Sequence, residues 1–408
     1  MTKTQKNAFI AICVLATMVM ISTMTGSLLA YIYKSYPDIP PTTIQLIMAL
    51  PSLVGVISSF ASGPLALKIN IKYLLLIATA TNLLYFVVFA IFGVSGPFSL
   101  LLVAAALSGI SRGASMTLMN SAIGKFMEPE KTAHYIAIIG AVLHGGGVVV
   151  GIIAGIIGAA NDGAAWNNAF YLGLLIIPTM IIFAKLMPKS VESSPSNTES
   201  RKHTDSHGSQ SEQKIDSRIP TKVYAIVFLV FAMCISVNAF MLNISYYIIT
   251  EHGLGSSAEV GLINSLFIIV GVPVGLTYSK WAKFLKSWNM PITYIMPIIG
   301  LIMLISFTQS LAGAFIAALF LGFTFCMLIP YNTGYIIQIT PPKLIPLSIA
   351  IFSGGMNLGM FIAPFFLSAL SPLFGGGING HLWIGITLSA LCSIGAILIF
   401  PVSDKRAA

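Results

Sequence analysis

Residues 72–92 read KYLLLIATATNLLYFVVFAIF, and this run predicts that the chain crosses a membrane. From residue 73 to residue 92 it contains no charged side chain, and about 20 mostly apolar residues suffice to span a bilayer as an α-helix. Other apolar runs of this size occur along the whole chain. They begin near Ala8, Thr43, Pro97, His134, Ala165, Val223, Val260, Asn289, Leu311, Ile345 and Leu382. The sequence therefore predicts twelve transmembrane helices.

The composition of the whole chain agrees with a membrane protein. Charged residues make up 8% of the 408 residues and apolar residues 56%, whereas a soluble domain carries about 25% charged residues. So few charges cannot form a water-facing surface, which excludes a soluble enzyme, a disordered chain and a collagen-like fibre. The runs are long and continuous rather than short and alternating, unlike the strands of a membrane β-barrel. We therefore predict an all-α integral membrane protein.

The basic residues are distributed unevenly between the two sides of these helices. If the N-terminus is cytoplasmic, Lys34 alone falls outside and Arg112 alone lies within a span. The cytoplasmic ones are Lys3, Lys6, Lys68, Lys72, Lys125, Lys131, Lys185, Lys189, Arg201, Lys202, Lys214, Arg218, Lys222, Lys280, Lys283, Lys286, Lys343, Lys405 and Arg406. This asymmetry follows the positive-inside rule, so we expect a cell-membrane protein with both termini in the cytoplasm. The net charge of +9 then reflects topology and predicts no nucleic-acid partner.

A polar segment divides the twelve runs into two sets of six. Residues 189–221 are rich in Ser, His and charged residues and contain almost no large apolar side chain. Such a segment cannot bury enough apolar surface to fold, so we predict a flexible cytoplasmic linker. The predicted domains are a six-helix bundle at 1–188, this linker, and a second six-helix bundle at 222–408.

The two sets of six are related by a constant offset of 213 residues, the separation of His144 and Asn357. The same offset pairs several Gly and Pro residues, namely Gly109 with Gly322, Pro129 with Pro342, Gly146 with Gly359, and Pro188 with Pro401. Because six is an even number of spans, the two copies have the same orientation in the membrane. The repeat therefore predicts two pseudo-symmetric bundles related by an axis along the membrane normal.

The loop after the second run carries a motif that is similar to one in a known transporter family. The family pattern is Gly-x-Leu-Ala-Asp-Arg-x-Gly-Arg-Lys, and residues 63–72 read GPLALKINIK, with Leu67 at the Asp position. The matching residues are Gly63, Leu65, Ala66 and Lys72, with Lys68 in place of Arg. With its twelve spans, repeat and central loop, the chain resembles the major facilitator superfamily along essentially its whole length. The resemblance implies a secondary transporter that moves a small solute by alternating access.

A second, partial match to this family lies in the fifth run. Antiporter members resemble Gly-x-x-x-Gly-Pro-x-x-Gly-Gly there, and this chain has Gly147, Gly151 and Gly155 at matching places, with Ile152 in place of Pro. The match favours a multidrug-type exporter of amphipathic compounds as the alternative to uptake of an organic anion. We assign gating or packing roles to these three glycines and to Gly63, Lys68, Lys72 and Asn357.

Arg112 is the only formal charge inside a predicted span. A charge at that depth costs at least about 2.5–3.5 kcal/mol and usually faces a cavity or a partner. Helical spacing places Ser108, Ser115 and Asn120 on one polar stripe with it. In one interpretation the guanidinium binds an anionic group of the substrate. In the other it stabilises the bundle by bonding to backbone carbonyls or to a loop acid such as Glu128.

His144 lies in the middle of the fifth run and is the candidate for proton coupling, because a histidine titrates near neutral pH. The alternatives are a substrate ligand and a neutral side chain hydrogen-bonded in a helix contact. All twelve Asp and Glu residues can be placed in loops or at the ends of spans. A carboxylate relay of the kind typical of proton-driven transporters is therefore not expected. Facilitated diffusion and exchange of two substrates also remain open.

In the family, the first, fourth, seventh and tenth helices line the central cavity. The resemblance therefore adds further polar residues to the substrate site, namely Thr25, Asn238, Tyr246, Thr324, Tyr331 and Tyr335. For each of them the alternative is a hydrogen bond between helices, typically worth less than about 2 kcal/mol. A pocket of Tyr, Asn and Met side chains with one cation suits a solute with an apolar or aromatic body and an anionic group.

Signals of other functional classes are missing from the sequence. The four cysteines lie in apolar runs without paired spacing, which is typical of small buried hydrophobes. No phosphate-binding loop, His-Glu-x-x-His motif or serine nucleophile motif occurs. We therefore expect no enzyme activity, cofactor or metal, and a monomer whose partners are a small-molecule substrate and the lipid bilayer. A membrane sensor or enzyme with many helices is the remaining alternative from another class.

Overall fold

The computed structural model describes residues 2–127, 132–188, 218–271, 273, 274, 277, 284, 285, 288–341 and 344–399. Most of the predicted linker at 189–221, and residues 400–408, lie outside this range. Within it the chain forms twelve consecutive helical segments. They are α1 (Lys3–Ser35), α2 (Pro41–Lys68), α3 (Ile71–Phe92), α4 (Phe98–Phe126), α5 (Thr132–Ala159), α6 (Trp166–Leu186), α7 (Thr221–Glu251), α8 (Ser257–Ile269), α9 (Asn289–Ser306), α10 (Leu311–Ile339), α11 (Ile345–Leu370) and α12 (Gly377–Ile399).

The lengths and composition of these helices confirm the prediction of an all-α membrane fold. Eleven of the described helices are long and apolar enough to cross a membrane. The other one, α8, is a 13-residue apolar helix, and only scattered residues of its run are described beyond residue 271. The part of the chain that the structure describes contains no β-strand. Each of the twelve predicted runs corresponds to one of the twelve helices.

Two of the spans are interrupted, which the apolar runs do not reveal. In α1 the regular helix ends at Ala16. A 3-10 turn follows at Ile21–Met24, and the regular helix resumes at Thr25. In α7 the regular helix ends at Met241 and the span finishes in a π-helical turn at Tyr247–Glu251. Interrupted helices at membrane depth occur where the backbone is buried in protein or lines a cavity, and in transporters they commonly form the substrate site.

The internal repeat is visible in how equivalent helices pack. A side chain added at Gly146 of α5 would overlap the carbonyl oxygen of Thr17 in α1. One added at Gly359 of α11 would overlap the carbonyl oxygen of Phe231 in α7. Only glycine permits this close approach of two backbones. The two glycines that the repeat pairs therefore make the same helix contact in both halves, α5 with α1 and α11 with α7.

The N-terminal half (α1–α6) and the C-terminal half (α7–α12) touch at one end of the molecule and separate towards the other. We call the end with the loops at 36–40, 160–165, 252–256 and 371–376 the closed end, and the opposite end the open end. Hydrogen bonds between the halves near the closed end include Thr42 to Ser368 at 3.0 Å. Towards the open end, a side chain added at Gly63 or Gly354 would meet no atom within 4 Å.

Candidate functional site

Arg112 lies half-buried on α4, beside α2. Its Nη2 donates a hydrogen bond to Ser52 Oγ at 3.1 Å, and Ser52 is 2% exposed. Within the described residues this is the only hydrogen bond of the Arg112 side chain, which takes part in no ion pair there. A guanidinium carries five N–H donors, so Arg112 can still bind a planar anion through two of them. Glu128, the alternative partner that the sequence suggested, lies outside the described residues.

The polar stripe around Arg112 divides into buried and exposed members. Ser108 is buried and its hydroxyl donates to Ala105 O of the same helix at 2.8 Å. Ser115 is fully buried, and no described residue bonds to its Oγ. Asn120 is exposed and lies nearer the open end. The structure therefore leaves Arg112 and Asn120 accessible while both serines face into the bundle.

The predicted site residues of α1 and α7 differ in their surroundings. Thr25 is buried, and its hydroxyl bonds to Tyr85 on α3 and to Ser22 O at 2.9 Å, within the N-terminal half. Asn238 is half-buried and donates to Cys234 O of its own helix at 2.8 Å. Tyr246 is also half-buried, and its ring packs edge-on against Tyr33 with centroids 5.3 Å apart. Tyr246 thereby joins the halves near the closed end, whereas Thr25 supports the fold of α1.

The three predicted residues of α10 are likewise not equivalent. Thr324 is fully buried, and its hydroxyl donates to Thr293 O on α9 at 2.8 Å. Tyr331 and Tyr335 are half-buried, one helical turn apart, and pack against the core of the C-terminal half. The two tyrosines therefore remain candidates for contact with a substrate, and Thr324 connects two helices of one half.

His144 is exposed on the face of α5 that continues towards the open end from the contact with α8. Along that contact, Ser265 Oγ donates to Val148 O at 3.1 Å and Ser257 Oγ donates to Gly155 O at 2.6 Å. His144 lies one helical turn beyond Val148. The side chain therefore lies one helical turn nearer the open end than the last described hydrogen bond between α5 and α8.

The predicted packing glycines on α5 lie in helix contacts, whereas Asn357 on α11 bonds within its own helix. Gly147 faces Met20 in the interruption of α1, where an added Cβ would lie 3.3 Å from the Met20 oxygen. Gly151 faces Ser265 of α8, with 3.5 Å between the added Cβ and Oγ. Asn357 is half-buried and donates to Ser353 O of its own helix at 2.9 Å. Two elements thus approach α5 closely, one from each half.

Lys72 differs from the other residues of its motif. Gly63 and Lys68 are exposed, whereas Lys72 is 8% exposed. The Lys72 Nζ donates to Ala184 O at 2.6 Å and to Met187 O at 2.8 Å, at the end of α6. A cation at the C-terminus of a helix stabilises the last carbonyl groups and the helix dipole. Lys72 therefore connects α3 to α6 within the N-terminal half.

A buried polar cluster near the closed end was missed by sequence reasoning. Gln45 Nε2 donates to Asn243 Oδ1 at 3.2 Å, and His381 Nδ1 lies 3.2 Å from the same oxygen. These side chains come from α2, α7 and α12, so the cluster joins the two halves. The one sequence signal at this place is the Asn-Ile-Ser pattern at Asn243, which fits a glycosylation site, but Asn243 is only 4% exposed.

Comparisons with known proteins agree with this architecture. The Major Facilitator Superfamily pattern matches residues 9–330 and 226–408 of the chain. The inward-open xylose transporter of E. coli is 13% identical, with a TM-score of 0.75 over 98% of this chain and 97% of that one. A nucleoside transporter is 12% identical, with a TM-score of 0.71 over 97% and 99%.

A bacterial homolog of the human lysosomal transporter Spinster, in an inward-facing and occupied conformation, is 12% identical. Its TM-score is 0.70 over 98% of this chain and 97% of that one. No curated protein sequence matches the chain significantly. The family match covers nearly the whole chain, and the solved transporters share its fold from end to end. The chain belongs to the Major Facilitator Superfamily and is a secondary transporter that works by alternating access.

Proposed function

We propose that this transporter carries a small organic anion with an apolar or aromatic body. The observation that supports this is the position of Arg112, a half-buried cation within a membrane-spanning helix that, among the described residues, bonds to one neutral hydroxyl. An uncompensated charge in the membrane is costly. A bound carboxylate or phosphate supplies the missing counter-charge, and the guanidinium geometry suits both groups.

The proposed site lies between the halves and opens towards the open end. Arg112 binds the anionic group, and Asn120, Asn238, Tyr331 and Tyr335 contact the rest of the solute. The aromatic rings provide apolar area and hydroxyl groups together, which suits an amphipathic molecule. In this proposal Thr25, Ser108, Ser115, Tyr246 and Thr324 shape and support the site.

We further propose that the protein is a monomer of the cell membrane, with the bundles at 1–188 and 222–408, and with both termini in the cytoplasm. The distribution of Lys and Arg supports this orientation. With that orientation the open end faces the cytoplasm. The family and the fold are those of transporters, and we propose that the protein has no catalytic activity of its own.

His144 is the proposed carrier if transport is coupled to protons. Its exposure next to the described contact between α5 and α8 supports access to water in this conformation. The switch to the opposite conformation brings α5 and α8 together at the open end, which changes the surroundings of the imidazole. A change of that kind is what coupling requires, because the proton must be bound in one state and released in the other.

Export of amphipathic compounds is the second candidate. It is favoured by the contact between Gly155 and Ser257, because the partial antiporter motif forms the boundary between the halves there. An exporter of this kind would accept cations and neutral compounds as readily as anions. Substrate charge therefore separates the two candidates.

Counterflow in proteoliposomes tests the proposal. Vesicles are loaded with unlabelled benzoate, benzamide or benzylamine, and the uptake of the same labelled compound is followed with and without a pH gradient. We expect exchange of benzoate, and we expect Arg112→Gln to reduce it at least tenfold. Lys222→Gln is the matched control, because it removes an exposed positive charge from the open end. Unchanged benzoate exchange in Arg112→Gln would contradict an anion site at Arg112.

A further inference from the structure

Ser52 connects the candidate anion site to the contact between the two halves. Its Oγ accepts a hydrogen bond from Arg112 Nη2 at 3.1 Å and donates to Met360 Sδ on α11 at 3.8 Å. The residue is 2% exposed, so water has little access to it. Arg112 and Ser52 belong to the N-terminal half and Met360 to the C-terminal half. Two consecutive hydrogen bonds therefore lead from the arginine across the interface.

The contact between Ser52 and Met360 is the described hydrogen bond between α2 and α11 that lies nearer the open end. Within the described residues, one other hydrogen bond joins these helices, from Thr42 to Ser368 at 3.0 Å, and it lies nearer the closed end. From Thr42 to Ser52 the helix rises by about 15 Å. Beyond Ser52, Phe60 of α2 is 58% exposed. A change at Ser52 therefore acts on the described bond of this interface that is farthest from the closed end.

We infer that Ser52 is a positioning residue that transmits the occupancy of Arg112 to the contact between α2 and α11. This inference rests on the anion site proposed above. A carboxylate forms shorter and stronger bonds with a guanidinium than a neutral hydroxyl does. The bound anion uses Nη2 as one of its two donors, and this draws Arg112 away from Ser52. Without the bond from Arg112 the serine hydroxyl can rotate, and its one hydrogen moves from Met360 Sδ to a carbonyl of its own helix, the acceptor that serines in helices commonly use.

The consequence is a link between binding and conformation. In the empty transporter the hydrogen bonds from Arg112 to Ser52 and from Ser52 to Met360 stabilise the conformation in which the two halves touch at the closed end. Anion binding removes this contribution. It therefore shifts the population towards the opposite conformation, in which the two halves touch at the open end. A ligand can shift such an equilibrium only through interactions that differ between the two states, and Ser52 supplies one.

A double-mutant cycle in the protein without added anion tests the link. Spin labels at Ile69→Cys and Leu347→Cys, which are exposed at the open ends of α2 and α11, report the distance between the halves. The background carries alanine at the four native cysteines, Cys13, Cys234, Cys326 and Cys392. Ser52→Ala and Arg112→Gln are each expected to raise the short-distance population about threefold to tenfold, the range for loss of one hydrogen bond.

Non-additivity is the decisive result of this cycle, because both variants remove the same series of contacts. The double variant is expected to shift the population no further than either single variant. Independent shifts that add would overturn the inference, and so would the absence of any shift in Ser52→Ala. Ser59→Ala is the matched control, because its hydroxyl donates to Gly113 O on α4 at 2.9 Å, within the N-terminal half.

Benzoate provides the second measurement, with benzamide as its uncharged counterpart of the same shape. In the wild type, benzoate is expected to produce the same shift as Ser52→Ala, and benzamide is expected to produce none. In Ser52→Ala, benzoate is expected to add less than a further twofold change. If the wild type does not respond to benzoate, the anion proposal fails, whereas non-additivity in the absence of benzoate still supports the link through Ser52.

A variant that does not fold leaves the test intact. If Arg112→Gln is not recovered from the membrane, Met360→Leu replaces it, because leucine keeps the apolar volume and removes the sulfur acceptor. The cycle of Ser52→Ala with Met360→Leu must then be non-additive in the same way. A Met360→Leu protein that retains the wild-type distance distribution overturns the inference.

Discussion

Gln45 Nε2 donates a hydrogen bond to Asn243 Oδ1 at 3.2 Å, and this bond joins the two halves of the transporter near the closed end. Both side chains are almost fully buried. His381 Nδ1 lies 3.2 Å from the same oxygen, so one amide oxygen connects three helices. Because lipid offers no replacement partner, breaking this bond leaves polar groups unsatisfied until water enters.

We predict that Gln45→Leu favours opening of the closed end. The substitution removes one donor to Asn243, and the loss of a hydrogen bond of this kind costs about 0.5–1.5 kcal/mol. Spin labels at Asp38→Cys and Leu373→Cys, both exposed at the closed end, measure the distance between the halves. The population at long distance is expected to rise several-fold.

The control for this experiment is Thr387→Ala on α12. Its hydroxyl is exposed and bonds to Trp383 O of the same helix at 2.9 Å, so its removal leaves the interface between the halves intact. A Gln45→Leu protein whose distance distribution equals that of Thr387→Ala would show that the cluster does not stabilise the closed end.

We predict that Lys72→Met destabilises the N-terminal half. The Lys72 Nζ donates to two carbonyl oxygens at the end of α6, and its loss leaves both without this buried donor. The expected decrease in the free energy of unfolding is about 1–3 kcal/mol, measured by thermal unfolding in detergent. Lys68→Met, at an exposed position of the same motif, is expected to change it by less than about 0.5 kcal/mol. Equal losses in the two variants would contradict a buried structural role for Lys72.

We predict that Gly155→Ala slows transport. A methyl group at this position overlaps the backbone of Ser257 on α8, so the halves can no longer approach closely at the closed end. The rate of counterflow is expected to fall several-fold, with a shift away from the state in which the closed end is closed. Gly145→Ala on the same helix adds a methyl group where no atom lies within 4 Å. The idea fails if the two alanine variants transport at the same rate.

We predict that His144→Gln abolishes the response of transport to a pH gradient and preserves exchange in its absence. Glutamine retains hydrogen bonding and similar size but carries no titratable group, so it separates proton coupling from a structural role. The measurement is uptake into proteoliposomes with and without an imposed gradient. Full gradient-driven uptake by His144→Gln would remove His144 as the coupling residue. His381→Gln is measured in parallel, because His381 is a described histidine in a polar contact between helices and His144 is exposed.

The fold class could be predicted from the sequence because it depends on features that are continuous along the chain. Runs such as 72–92 are long enough to span a bilayer in any tertiary context, and the offset between His144 and Asn357 is a property of the sequence alone. Helix boundaries were less predictable. The first helix begins at Lys3, before the apolar run at Ala8, because Thr2 and Gln5 form a capping box.

The surroundings of individual polar residues could not be predicted in the same way. Helical spacing placed Ser108 and Arg112 on one stripe, but the bonding of Ser108 to its own helix and of Arg112 to Ser52 depends on how α2 and α4 pack. The Gln45–Asn243 contact joins residues nearly 200 positions apart, and the one pattern there, Asn-Ile-Ser at Asn243, does not indicate a contact between helices. Polar residues near the ends of spans are common, so spacing alone gives such a contact no distinguishing signal.

The contact between α5 and α8 has a mechanical consequence. It is formed by the small residues Ser257, Gly261 and Ser265 against the backbone of α5, with serine hydroxyls bonded to Val148 O and Gly155 O. The described close approaches there involve small residues, which favours sliding or parting of the two helices with little change of rotamer. Water can replace each hydroxyl in turn as the surfaces separate. The barrier to reorientation at this contact therefore depends on the exchange of a few hydrogen bonds. The surface can part and re-form in every transport cycle while the side chains of the surrounding core keep their packing.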